Sequence, residues 1–278
     1  MTTLHSFLRE TYWPYTRNMI KRESLRKYVW GIEDALPDLP KEVEEVRKAD
    51  VLRVHSMRAA TPVSANCILR ALSTVFKLAV DHGLILVNPC KGIKCYPEKP
   101  RERFLSFEEQ GRLLAVLPPL GDVGVLIHLL LLTGARPTEL RTAEWEWVRA
   151  AEPPSKGGVL RLPDAKRGPR TVYLPERAMK LLYGLPCASP RQGRIFPAID
   201  QNRMSRGFRK AATGAAIPAC HLYDLRHTFA SNALRGGCAL SQIGGTMGHR
   251  RAQTTMRYAH LAHETGLEVV EKANAHLG

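Results

Sequence analysis

Thr133-Gly134-Ala135-Arg136-Pro137-Thr138-Glu139-Leu140 is the stretch from which the rest of the chain can be read. It follows the most apolar run of the sequence, Val123 to Leu132. That run predicts a buried helix and is well short of the roughly 20 residues that span a bilayer. A turn carrying Arg136 then leads into a short helix from Pro137, and Glu139 lies one helical turn on, within reach of the guanidinium it would orient. Taken alone, such an arginine is ordinarily solvated or salt-bridged. Three residues downstream change that reading: Arg226 in Asp224-Leu225-Arg226-His227-Thr228-Phe229-Ala230-Ser231, His249 after Gly248, and Tyr258 nine positions beyond the histidine, behind Thr254-Thr255. Arginines bind phosphate oxygens bidentately, an imidazole donates one more hydrogen bond, and a phenol is a nucleophile able to carry a phosphate ester. The set suits a phosphodiester.

Composition points to the same partner. The 278 residues hold 41 Lys and Arg against 26 Asp and Glu, a net charge of +15, so a polyanion such as nucleic acid is expected. Residues 1–100 carry 16 basic and 11 acidic side chains and the remainder 25 and 15, so both parts are basic. Hydrophobic residues make up 44% of the chain, ample for buried cores, which excludes disorder as the default. The six cysteines form no CxxC pair and no zinc-spaced cluster with histidine, which predicts reduced structural thiols and no metal. Met-Thr-Thr-Leu-His-Ser at the N-terminus is no signal peptide, so a cytoplasmic protein without membrane association is expected.

Outward from the opening stretch, residues 1–101 read as one helical domain. Its clearest helix runs from about Ser64 to His82, with Ile68, Leu69, Leu72, Val75, Phe76 and Ala79 on one face and Gly83 as its C-cap. A basic linker containing Pro97 and Pro100 places the boundary near residue 102, and Ser106 and Glu109 predict a capping box for the next helix. Within 102–278, a strand is expected around Trp145 to Val148. Val159-Leu160-Arg161-Leu162 and Arg170-Thr171-Val172-Tyr173-Leu174 predict a β-hairpin around a polar turn. The helix opening at Asp224 carries Leu225, Phe229, Ala233 and Leu234 as an apolar stripe and stops at Gly236-Gly237; Leu261, Leu267, Val269, Val270 and Leu277 predict a C-terminal helix.

The Arg136, Arg226 and His249–Tyr258 segments resemble the three signature boxes of the tyrosine recombinases, the phage integrase family, across about two thirds of the chain. The resemblance implies a mainly α fold with a small antiparallel β-sheet: an N-terminal helical, SAM-like core-binding domain over 1–101 and a mixed α/β catalytic domain over 102–278. It implies cleavage and rejoining of DNA strands through a 3′-phosphotyrosine on Tyr258, with Arg136 and Arg226 clamping the non-bridging oxygens and His249 donating to them. It also implies a β-hairpin lysine as general acid. Lys166 in the predicted turn fits this better than its neighbour Arg167, because a guanidinium is a poor proton donor. No cofactor is implied. Expected partners are double-stranded DNA recombination sites, a homotetramer spanning two of them, and accessory directionality or DNA-bending proteins. Glu139, Asp224 and His227 are read as supports for the arginines, His227 packing or hydrogen-bonding rather than titrating.

One departure concerns the chemistry. The family commonly has histidine three residues before the second arginine, where this chain has Tyr223. A phenol hydrogen-bonds to phosphate but is a weak base near neutral pH, so either Tyr223 is a hydrogen-bonding replacement or His221, two residues upstream, serves as an alternative base. Two other functions share these features: a monomeric type IB topoisomerase, marked by relaxation of DNA by a lone protomer, and a catalytically silent DNA-binding relative, marked by site binding with no covalent adduct.

Overall fold

Ile68, Leu72, Val75, Phe76 and Ala79 lie on the buried face of a helix, Pro62–Asp81, that begins two residues earlier than its apolar pattern because Pro62 suits a first helical turn. Gly83, at φ +69°, follows its end. The helix belongs to a computed structural model that describes residues 2–20, 22–99, 101–152, 156–163, 168–186, 190–249, 251–261 and 270. The chain divides into two units, Met1–Arg101 and Glu102–Gly278.

The first unit contains α1 (Leu4–Phe7), α2 (Trp13–Met19), α3 (Arg22–Ala35), α4 (Lys48–Ser56) and α5 (Pro62–Asp81). Phe7, Tyr12, Ile32, Val43, Val51, Leu72 and Phe76 form its core. Burying each such side chain contributes roughly 2 kcal/mol. Among the described residues α5 is the one helix long and apolar enough to cross a membrane, yet 56% of its apolar window is buried in this core. Asn66, fully buried, accepts from the Tyr96 amide at 2.8 Å and donates to the Tyr96 carbonyl at 2.8 Å, which ties the end of the unit back onto α5.

The second unit contains α6 (Phe107–Ala115), α7 (Asp122–Thr133), α8 (Pro137–Arg141), a sheet of β1 (Val148–Ala150), β2 (Gly158–Leu162) and β3 (Arg170–Leu174), then α9 (Glu176–Tyr183), α10 (Gln201–Gly214), α11 (Asp224–Arg235), α12 (Leu240–Met247) and α13 (Ala252–Met256). The capping box forms: Ser106 Oγ accepts from the Glu109 amide at 3.1 Å, and Glu109 Oε2 accepts from the Ser106 amide at 2.9 Å. α7 is apolar on nearly every face and packs against α9, α10, α11 and β3, which is why its sequence shows no amphipathic stripe. The sheet is antiparallel in the order β1-β2-β3, with Leu160 opposite both Val148 and Val172. Alternation buries Leu160, Leu162, Val172 and Leu174.

The architecture is therefore mainly helical with a small antiparallel sheet, as the resemblance implies. The strand expected from Trp145 differs: Trp145–Trp147 is a 3₁₀ turn and β1 begins at Val148. The Trp145 amide is held by the Gly193 carbonyl at 2.9 Å and its ring lies 4.7 Å from the Arg191 guanidinium, so these contacts decide the local backbone. The expected C-terminal helix beyond Leu261 falls, apart from Val270, outside the described residues.

Candidate active site

Two helices end in left-handed glycines, and those ends organise the site. α7 stops at Gly134 (φ +60°) and α12 at Gly248 (φ +68°). A Cβ at Gly134 would meet the Phe229 ring at 2.4 Å, and one at Gly248 would meet the Arg170 guanidinium at 2.9 Å, so both positions need glycine for space as well as for φ. The carbonyls of these ends lack intrahelical donors and carry partial negative charge. Guanidinium groups satisfy them. Arg226, 2% exposed, donates from Nη1 to the Gly134 carbonyl at 2.5 Å and from Nη2 to that of Met247 at 2.6 Å. Arg136 reaches the Gly248 carbonyl at 3.3 Å, and Arg170 reaches the Met247 and Thr246 carbonyls at 2.5 and 3.2 Å.

Glu139 is the acid in this cluster. Its carboxylate accepts from the Arg136 amide at 2.9 Å and from Arg136 Nη1 at 2.7 Å, and it faces Arg170 Nη1 at 3.4 Å. Three guanidinium groups against one carboxylate leave net positive charge in a place largely removed from water, which an arriving anion would neutralise. Burial, followed by the Arg136 and Arg170 charges, holds the Arg226 guanidinium down to about 10, so it stays charged at neutral pH.

His249 follows Gly248 directly, and its Nδ1 lies 2.8 Å from Thr255 Oγ1. Burial, then the charges of Arg226, Arg136, Arg170 and Arg257, push the imidazole down to about 4. It is therefore neutral at pH 7. The tautomer that can donate to an anion holds its proton on Nε2 and accepts the Thr255 hydroxyl at Nδ1, a pairing the 2.8 Å contact allows. Tyr258 is 5% exposed and packs with Ala230, Ile243 and Met247. Burial raises its phenol to about 12, against the lowering effect of Arg226 and Arg257. Its oxygen lies 2.7 Å from His227 Nδ1.

The phage integrase family matches residues 104–265, more than half of the chain and all of the site just described. The chain belongs to the phage integrase family. The integrase of Escherichia phage P2 is 31% identical over 205 residues, covering 73% of this chain but 57% of that protein, so this family member spans little more than half of the phage protein's length. Tyrosine recombinase XerD of Caulobacter vibrioides is 26% identical over 276 residues, 90% of each chain. The crystal structure of a lambda integrase tetramer bound to a Holliday junction superposes with a TM-score of 0.72 at 17% identity, over 91% of this chain and 79% of that one. At that identity the likeness speaks for the fold.

In this phage integrase family member, Arg136, Arg226, Glu139 and His249 gather at the two helix ends, and Tyr258 joins them through α11. Asp224 is buried and its Oδ2 accepts the His221 amide at 2.7 Å, closing the turn before α11. Tyr223 is 47% exposed and sets its ring edge-on to His227. His221 does not join the cluster: its exposed ring faces Asp224 at 3.9 Å. Lys166 lies outside the described residues. The residue that sequence reasoning missed is Arg170. It reads there as a polar position at the start of a hairpin strand, and the signal that could have raised it, a charged side chain opening a half-buried strand, is weak. The expected apolar stripe of α11 is also only part of its buried surface, which includes Asp224, Arg226, His227, Thr228 and Ser231.

Proposed function

We propose that this chain is a site-specific DNA recombinase that cuts and rejoins strands through Tyr258. The observation that supports it most is the meeting of Arg136, Arg226 and neutral His249 at two helix ends, with the Tyr258 phenol set against His227, the residue after Arg226 on α11. Arg136 and Arg226 take the non-bridging oxygens of the scissile phosphate and His249 donates to one of them, stabilising charge where it develops. Glu139 orients Arg136, and Asp224 shapes the turn that delivers Arg226. The Tyr258 oxygen bonds to phosphorus, the bond from phosphorus to the 5′ oxygen breaks, and the departing oxygen takes a proton, a role assigned to Lys166. The product is a 3′-phosphotyrosine and a 5′-hydroxyl. No cofactor enters, because the ester retains the bond energy and a second 5′-hydroxyl reverses the step.

The net charge of +15 suits duplex DNA. Residues 1–101 are read as the core-type DNA-binding domain and 102–278 as the catalytic domain. Assembly as a homotetramer on two sites accords with the lambda integrase tetramer bound to a Holliday junction, and accessory bending or directionality proteins are part of the same reading. Nicked suicide duplexes that trap the covalent complex test the reading. Wild type should form an adduct, and Tyr258→Phe should bind the same site yet form none, since only the attacking hydroxyl is lost. An adduct at normal yield from that variant removes Tyr258 as nucleophile, and none from wild type removes the recombinase.

A further inference from the structure

Replacement of the family's usual histidine by Tyr223 leaves open which group takes the proton from Tyr258. The phenol oxygen stands 2.7 Å from Nδ1 of His227, the residue after Arg226 on α11. The two ring centroids are 5.7 Å apart at 56°, and both side chains are buried. On its other side His227 meets the Tyr223 ring edge-on, with centroids 5.7 Å apart at 65°. His221 is turned toward Asp224 and solvent. Successive helical residues point about 100° apart, so α11 can aim Arg226 at the helix ends and His227 at the phenol.

We propose that His227 is the proton acceptor for the Tyr258 nucleophile, an assignment that rests on the recombinase reading above. As the Tyr258 oxygen bonds to phosphorus, its proton passes to His227 Nδ1. The bond to the 5′ oxygen breaks with its electron pair on that oxygen, which the general acid protonates. Religation returns the proton from His227 to the phenol, and no oxidant or cofactor is involved. His227 therefore reacts as the tautomer protonated on Nε2. The charged and titratable groups around it are few: Asp224 and Arg226 stand on its own helix with Tyr223 just before it, and the Tyr258 segment adds Arg257 and His260. α12, packed against α11, has no ionisable side chain. α7 carries only Asp122, paired with Arg203, and His128, whose neighbouring charge is Arg177. The segment leading into α6 brings Arg103 and the first turn of α6 brings Glu109, paired with each other.

A histidine that only packs against Tyr258 could be replaced by an amide that keeps the hydrogen bond; a base could not. Single-turnover cleavage of the nicked duplex by the full chain, measured from about pH 5.5 to 9 for wild type, His227→Asn and His227→Gln, separates the two. Both variants should cleave ~100-fold more slowly at neutral pH and lose the ionisation that governs the wild-type profile. Fluorotyrosine of lower phenol pKa in place of Tyr258 should recover most of the loss, because a more acidic nucleophile needs less help. Cleavage within about threefold of wild type with an unchanged profile overturns the proposal. So does a loss that fluorotyrosine leaves in place, which assigns His227 to packing. Absence of any Tyr258-linked adduct in wild type is distinguishable from both and removes the underlying reading.

Discussion

Arg226 donates from Nη2 to the main-chain oxygen of Met247 at 2.6 Å, so the buried arginine of α11 holds the end of the helix that delivers His249. Arg170 donates to the same oxygen at 2.5 Å and to Thr246 at 3.2 Å, while it faces Glu139 at 3.4 Å. The helix end, both arginines and the acid beside Arg136 form one connected unit. Disturbing any part should move the others.

Arg170→Ala should therefore act at a distance. It leaves Glu139 without one of its two cations, takes the guanidinium donor from the Thr246 carbonyl and leaves Arg226 alone on that of Met247, so unfolding in denaturant should show a loss of about 3 kcal/mol. Cleavage should fall as well, and Arg170→Lys should recover little of either, because an ammonium cannot bridge two carbonyls and a carboxylate in a fixed fork. Stability equal to wild type in Arg170→Ala would refute the coupling.

Arg136 is more exposed than Arg226, at 24% of its side chain, and contributes less to the fold. Arg136→Ala should slow single-turnover cleavage by about two orders of magnitude, the cost of one preorganised donor set at the transition state. Duplex affinity should change far less. A variant that cleaves at the wild-type rate would show that Arg136 does not meet the phosphate.

His249 makes stability depend on pH. Its folded value of about 4 lies below the ordinary 6.5, so between them the unfolded chain binds more protons. Its contribution is present above pH 6.5 and is lost as pH falls through that interval. Thermal unfolding of wild type and His249→Gln should show a constant difference above pH 6.5, with wild type losing ground between 6.5 and 4. Parallel curves throughout would contradict the burial and the arginine charges named as the cause.

Tyr223 and His221 should separate cleanly. Tyr223→Phe should slow cleavage about tenfold, the loss of one neutral hydrogen bond to phosphate, without changing the shape of the pH profile. His221→Ala should stay close to wild type, because its ring faces Asp224 and solvent. Tyr223→His should be tolerated at this half-exposed position. A larger loss in His221→Ala than in Tyr223→Phe would reverse the assignment.

Much of this was legible in the order of residues. The α5 face, the Ser106–Glu109 capping box and the hairpin alternation depend on neighbours a few positions apart, and helical and strand periods convert such spacing directly into structure. Spacing also marked Arg136, Arg226, His249 and Tyr258 as a set, and Glu139 as the partner one turn from Arg136. The strand expected at Trp145 failed where a long-range bond to Gly193 overrode local pattern.

Tertiary structure alone decided which atoms these residues meet. The carbonyls that hold Arg226 lie 92 and 21 positions away, Arg170 reaches across 77 to Met247, and His227 meets Tyr258 across 31. Nothing in local periodicity encodes such pairings, because they arise from how α7, α11, α12 and β3 pack. Burial then sets the protonation of the groups concerned: the sequence by itself determined that a histidine and a tyrosine stand at 249 and 258, and the surrounding core decided that the first is neutral and the second harder to ionise than a free phenol.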